Sequence, residues 1–236
     1  MDANELMGQA LLDFYQGDRS KDLYSESDIS EKDRYPLDYF FREFDAMPPI
    51  EQKALSMCYG KVLDIGCGAG NHSLYLQQKG VSVTALDVSK NATKVCRLRG
   101  IDSVKCNTFL DYNTTTYDTL LLLMNGIGIA GSLDKLPDYL KHLKGLLNPG
   151  GQILVDSSDL QYMYDRAENG AIMVPAYMSY YGQLEYTLYY GAQKSDAFKW
   201  LYVDPVTFEQ ACKELDLRFE IVLKGDNYDF LARITA

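Results

Sequence analysis

The sequence is poor in metal ligands. It has two histidines, His72 and His142, and five scattered cysteines, Cys58, Cys67, Cys96, Cys106 and Cys212, none in a Cys-x-x-Cys pair. No metal site is expected from so few ligands at such spacing, and an odd, unpatterned cysteine set is not a disulfide framework. A chain of 236 residues needs no such staple, because it can bury roughly 70% of its unfolded surface. There is no run of lysine and arginine, and the net charge is −10. An acidic protein is repelled by phosphate backbones, so nucleic acid is not an expected partner. Long apolar runs are also missing. Residues 119–133 carry no charge but include Asn125 and three glycines, and a spanning helix needs about 20 mostly apolar residues. Met1-Asp2-Ala3-Asn4-Glu5 has neither the positive start nor the apolar core of a signal peptide. The expectation is a soluble protein in a reducing, cytoplasmic setting, with no membrane partner. Hydrophobic residues at 47% and charged residues at 24% exclude disorder and collagen-like repeats.

Two features are uneven. Residues 1–57 hold thirteen acids and six bases, so most of the negative charge sits there; a solvated surface explains this. Tyrosine is abundant, at nineteen, and nine of these lie between Tyr162 and Tyr202. That cluster reads either as packing of an inserted β-element or as the wall of an aromatic substrate pocket.

Along the chain, Leu6, Ala10, Leu11 and Phe14 share one helical face, and Gly17 stops the pattern. Residues 18–35 read as loop, and 37–57 as helical with a break at Pro48-Pro49. Positions 1–57 therefore predict a helical cover ahead of the main fold. From Val62 a different rhythm begins: a short apolar strand, a glycine loop, a helix, and a β-branched strand ending at Asp87. Ser89 caps the next helix and Gly100 ends it. Further strands are predicted at 103–107, 119–124 and 152–156, with a helix over 133–147 before the Asn148-Pro149-Gly150-Gly151 turn. Residues 157–203 interrupt the rhythm. Asp204-Pro205 then starts a helix, and strands at 217–223 and 228–234 flank Gly225-Asp226-Asn227 as an antiparallel hairpin. Repeated strand–helix alternation argues for an α/β, doubly wound, mostly parallel sheet. The predicted fold is seven-stranded with an antiparallel C-terminal strand. The predicted units are a cover over 1–57 and a main domain over 58–236 with a small β-rich insertion at about 157–203.

The chemistry sits in Val62-Leu63-Asp64-Ile65-Gly66-Cys67-Gly68-Ala69-Gly70-Asn71. Glycines let this backbone approach a ligand closely, and the following helix offers unpaired N–H groups. Asp87, at the end of the next strand, can accept bonds from both hydroxyls of a ribose. The dinucleotide fingerprint asks for a third glycine where Asn71 stands. Asp64 beside the loop suits a ligand with a positive group rather than a pyrophosphate.

The run VLDIGCGAGNHSLYLQQKGVSVTALDVS resembles the glycine loop through strand two of the Rossmann-like (class I) S-adenosylmethionine-dependent methyltransferases. YDTLLLLMNGIGIAG and LLNPGGQILVDS are similar to the same family's fourth strand and its turn into strand five. The resemblance implies S-adenosylmethionine as cofactor and methyl transfer as activity. It implies that Asp64, Gly66, Cys67, Gly68 and Gly70 form the loop near the methionine part. It implies Asp87 at the ribose, Val88 beside it among the cofactor-binding residues, Asn107 and Thr108 beside the adenine, and Asn125 and Gly126 at the end of strand four. Asn107 departs from the acidic residue common in the family.

Other roles stay open. Asp64 is either a ligand-facing acid or one that bonds the loop's own N–H groups. Cys67 reads as a small residue that fits the loop rather than a nucleophile. His72 reads as a packing or capping residue, and His142 as exposed on a helix. Tyr35 and Tyr39 are candidates for a lid over the substrate. Asp156 and Trp200 are candidates for the substrate pocket, Trp200 with core packing as its alternative. No catalytic triad is visible, and in-line transfer from a sulfonium mainly needs positioning. A small-molecule acceptor is expected, since Met124-Asn125-Gly126-Ile127 lacks the proline motif of base-modifying enzymes. The competing readings are a non-catalytic S-adenosylmethionine-binding regulator, a nicotinamide-dependent oxidoreductase, and a partner-binding helical module at 1–57 riding on an inactive domain.

Overall fold

The computed structural model describes all 236 residues. In chain order the N-terminal segment contains α1 (Ala3–Tyr15), β1 (Leu23–Ser27), β2 (Ser30–Tyr35) and α2 (Pro49–Met57). The main domain follows with β3 (Lys61–Ile65), α3 (Asn71–Gln78), β4 (Ser82–Asp87), α4 (Lys90–Leu98), β5 (Val104–Cys106), β6 (Tyr117–Leu122), α5 (Leu136–Gly145) and β7 (Leu147–Ser158). The remainder is β8 (Gln183–Tyr190), β9 (Gln193–Lys194), β10 (Phe198–Leu201), α6 (Pro205–Lys213), β11 (Arg218–Lys224) and β12 (Asp229–Thr235).

The large sheet has the order β11-β12-β7-β6-β3-β4-β5. Pairings among β3 to β7 are parallel, and β12 runs against both its neighbours. This is the predicted seven-stranded, doubly wound architecture with its antiparallel final strand. The chain leaves the centre through β4 and β5 on one side, then returns to place β6 and β7 on the other. The reversal falls between β3 and β6, and such switch points open a crevice at the carboxyl ends of the strands.

Side chains alternate across the sheet and build two cores. Leu63, Ile65, Leu120 and Leu122 face α5 and α6, meeting Leu136, Leu140 and Phe208. Val62, Leu121 and Leu154 face the other way, against Ile50, Ala54 and Leu55 of α2 and Leu76 of α3. A third cluster joins Leu6, Ala10 and Leu11 of α1 to Ala92 and Val95 of α4. The start of α4 is capped as predicted: Ser89 Oγ accepts from the Ala92 N–H at 3.2 Å. Ser89→Ala is expected to cost about 1 kcal/mol in urea unfolding, since the cap bond is the main loss.

The N-terminal segment departs from the helical cover read in the sequence. Residues 18–35, expected as loop, contain β1 and β2, which belong to a second, antiparallel sheet of order β10-β8-β1-β2. Leu23 pairs with Tyr190 and Ser27 with Tyr186. The cover and the tyrosine-rich insertion are thus one structure. The strands were illegible because β2 is solvent-exposed along nearly its whole length, so no apolar alternation marks it. The sheet forms through pairing with residues far along the chain.

Candidate functional site

β3 ends at Ile65 and the glycine loop leads into α3. Gly66 and Gly68 adopt left-handed backbone, with φ of 74° and 53°. A Cβ at either would meet nothing within 4 Å, so both open directly onto space. Gly70 is glycine for another reason. A Cβ there would lie 2.4 Å from Ile101 Cδ1 and 2.9 Å from Cys96 Sγ, so it lets the loop pack down on α4.

Asp87 closes the loop from the end of β4. Its carboxylate accepts from the Gly68 N–H and the Ser89 N–H, each at 2.9 Å. Burial pushes its pKa up, against the pull of those two bonds. Asp64 is buried beneath the loop and accepts from the Ser73 hydroxyl at 2.6 Å. Burial raises its pKa as well.

These groups line a cavity of about 780 Å³ at the carboxyl ends of β3, β4 and β6. Asp64, Gly66, Cys67, Gly68, Asp87, Val88, Asn107, Thr108 and Gly126 all face it. Its roof comes from α1, through Asn4 and Met7, from the second sheet, through Tyr186, Phe198 and Trp200, and from Tyr202 just beyond β10. Tyr35 and Phe40 complete an aromatic compartment. Lys199 and His72 are the basic residues of the lining, against Asp64, Asp87 and Asp111.

Four sequence-derived candidates sit elsewhere. Gly70 is a packing residue, as above. Asn125, held at φ 57°, turns its amide to the Leu201 carbonyl at 3.2 Å and is not in the cavity wall. Tyr39 points outward from the short turn Leu37–Phe41, where Leu37 takes the inward position, and its ring lies 3.4 Å under the Arg42 guanidinium. Asp156 lies behind the cavity, accepting from the Gly126 N–H at 3.2 Å. Trp200 and Tyr35 do line it.

Burial pushes the Asp156 carboxyl up to about 6. A carboxyl raised on folding binds a proton more tightly in the native state. Its contribution to stability is present below pH 4 and lost as pH rises through about 6, about 3 kcal/mol in all. Asp156→Asn keeps the acceptor for Gly126. It is expected to lie close to the parent in thermal and urea unfolding at pH 4 and to exceed it by about that amount at pH 8. Asp64 and Asp87 shift in the same direction but are common to both proteins, so the difference isolates Asp156.

The sequence reading also missed a buried chain that runs back from His72 in the cavity wall. Glu51 of α2 bonds His72 Nε2 at 2.7 Å through one oxygen and the Arg42 guanidinium through the other. His72 stood out in the loop-to-helix turn, but Glu51 lies in a segment without any motif. His142, expected as exposed, is partly buried and bonds the Tyr112 carbonyl at 3.0 Å. Cys67 is buried with its Sγ 3.7 Å from that of Cys96, and its pKa is raised well above the usual thiol range. It is a loop-packing residue rather than an activated nucleophile.

The sheet order, the glycine loop at the switch point and the acid at the end of the second central strand define a Rossmann-like S-adenosylmethionine-dependent methyltransferase. The model of the methyltransferase domain family matches residues 40–219, and the chain belongs to that family. It is similar to a methyltransferase from Bacteroides fragilis solved with S-adenosyl-L-homocysteine. That protein is 36% identical, with a TM-score of 0.91, over 99% of this chain and 95% of the other. The CcbJ methyltransferase of Streptomyces caelestis, 14% identical with a TM-score of 0.63 over 81% of this chain and 98% of that one, shares the fold. A ubiquinone biosynthesis O-methyltransferase of Xylella fastidiosa is 32% identical over 112 residues. The match covers 44% of each protein, so the chain spans less than half the length of the curated relatives it matches. No helix is long and apolar enough to cross a membrane.

Proposed function

We propose that this protein transfers a methyl group from S-adenosylmethionine to a small-molecule acceptor held in the aromatic compartment. The observation that carries the reading is the open cradle of Gly66 and Gly68 beside an Asp87 carboxylate already fixed by two backbone donors. When bound, the cofactor supplies an electrophilic methyl on a sulfonium. The residues present fit it. Asp87 has lone pairs left for the ribose hydroxyls. Asp64 places negative charge near the cationic methionine end. Val88, Asn107 and Thr108 line the same cavity, and Asn107 and Thr108 would flank the adenine. The acid-rich lining favours a cationic ligand and disfavours a pyrophosphate, which supports S-adenosylmethionine over a nicotinamide dinucleotide.

The acceptor side is walled by Tyr35, Phe40, Tyr186, Phe198, Trp200 and Tyr202. These side chains hold the acceptor against the cofactor and exclude water, which is most of what in-line transfer asks of a protein. The N-terminal segment and the insertion act together as a cap over the main domain, in the cytoplasm. Calorimetric titration with S-adenosylmethionine, S-adenosylhomocysteine and NAD in parallel tests the cofactor. Micromolar binding of the first two and none of NAD is expected. Transfer of label from methyl-labelled cofactor to a panel of small acceptors then separates an enzyme from a non-catalytic regulator. Binding of NAD alone sinks the reading.

A further inference from the structure

The chain leaves β6 under strain. Met124 and Asn125 both hold left-handed backbone, with φ of 64° and 57°, and neither is glycine. Such conformations cost free energy in a residue with a Cβ and persist only where the surroundings hold them. Successive N–H groups in a turn of this kind point together and seat an anion. Here the anion is a side chain. Asp156 of β7 accepts from the Gly126 N–H at 3.2 Å, and the Asn125 N–H acts on the same carboxylate.

The turn reaches both halves of the cavity. Met124, Gly126 and Ile129 line it. The Asn125 amide donates to the Leu201 carbonyl at 3.2 Å, at the end of β10. A Cβ at Gly128 would lie 2.0 Å from Trp200 Nε1 and 2.2 Å from its Cε2, so the indole rests directly on the backbone of the turn. One short segment thus forms part of the wall and supports Trp200 in the aromatic compartment. Its strained N–H groups close on Asp156.

A carboxyl costs stability in this place. Burial raises it to about 6, so its charge destabilises the fold at neutral pH, where an amide would not. Charge kept against stability is the trade-off made at functional positions. Glu51 of α2 and His72 of α3 act on it, and Tyr39 faces it from the turn before α2. Its register partner on β12 is the apolar Leu231. An ionised carboxylate accepts from both N–H groups. An amide has a single acceptor oxygen, and a protonated carboxyl turns its hydroxyl into a donor.

We propose that Asp156 is a positioning residue for methyl transfer: its ionised carboxylate holds the left-handed turn after β6, and through that turn it sets the cavity wall at Met124 and the seat of Trp200. It touches neither cofactor nor acceptor in this role. Protonation releases one N–H group, the turn relaxes toward ordinary backbone, and Trp200 loses its support.

This inference rests on the methyl-transfer reading, and its test separates the two. Trp200 is the only tryptophan, so its emission reads the wall without any ligand. Asp156→Asn keeps the size and one acceptor and removes the charge. Parent and variant are compared at pH 5 and pH 8 by calorimetric titration with S-adenosylhomocysteine, acrylamide quenching of Trp200 and urea unfolding. At pH 8 the variant is expected to bind roughly tenfold more weakly, the scale of one lost hydrogen bond. Its Trp200 is expected to quench more readily, yet the variant unfolds at higher urea. At pH 5 the two proteins converge. Asp64, Asp87 and His72 are common to both, so the difference belongs to Asp156. A merely structural acid would move affinity and stability in the same direction. Equal affinity at pH 8, unchanged quenching, or weaker binding with lower stability overturns the proposal. A parent that binds no S-adenosylhomocysteine at either pH overturns the methyl-transfer reading, and the quenching difference then decides alone whether Asp156 sets the wall.

Discussion

Asp87→Ala is expected to weaken S-adenosylmethionine and S-adenosylhomocysteine binding on the order of 100-fold in calorimetry, about 3 kcal/mol. Two losses add. In the proposed binding mode the carboxylate accepts from the ribose hydroxyls, and a bond to a charged acceptor contributes about 1.5–3 kcal/mol. It also ties the Gly68 N–H to the end of β4, and without it the loop is less ordered before the ligand arrives. Asp87→Asn separates the two parts. The amide oxygen keeps one acceptor for the loop, but its NH2 cannot accept, so ribose recognition is lost and the loop is partly kept. An intermediate affinity is expected for Asn. Equal affinity for Asp87→Ala and the parent would remove Asp87 from the site.

Arg42→Met is expected to destabilise the protein by about 3–5 kcal/mol. Arg42 and Glu51 have side chains 7% and 4% exposed, and Glu51 is shared between Arg42 and His72. Removing the guanidinium leaves a buried carboxylate near Asp156 with only the imidazole to offset it. The cost is the stranded charge, more than the lost pair. The double variant Arg42→Met with Glu51→Leu therefore recovers much of the stability, because no buried charge remains without a partner. Urea unfolding of the parent, the two single variants and the double variant reads this coupling. A loss below about 1 kcal/mol for Arg42→Met would mean that water reaches the pair and screens it.

The parts of the fold that periodicity describes were legible. β6, buried along most of its length, reads as an apolar run because both sheet faces are covered by helices. The N-caps Ser89 and Asp204 mark helix starts through bonds made to close neighbours in the chain. The loop from Gly66 to Gly68 and the acid at Asp87 are close in sequence, and their spacing follows from one strand–helix–strand unit. Asn125 was placed by the family resemblance, and Tyr39 and Asp156 by chain order and position at a strand end. Each lies near the site, but the local backbone direction decides which way a side chain points, and Asn125 at positive φ turns away.

The sequence by itself determined the doubly wound domain, its glycine loop and the acid at the end of β4 that closes it, because those depend on contacts between near neighbours in the chain and on strand and helix periodicity. Only the tertiary structure decided that an exposed N-terminal hairpin pairs with β8, far along the chain, to cap the cavity. It likewise decided that Glu51 reaches His72 from another helix. Pairing across such distances follows from backbone hydrogen bonds and from the need to neutralise buried charge, and neither leaves a repeating mark in the order of residues.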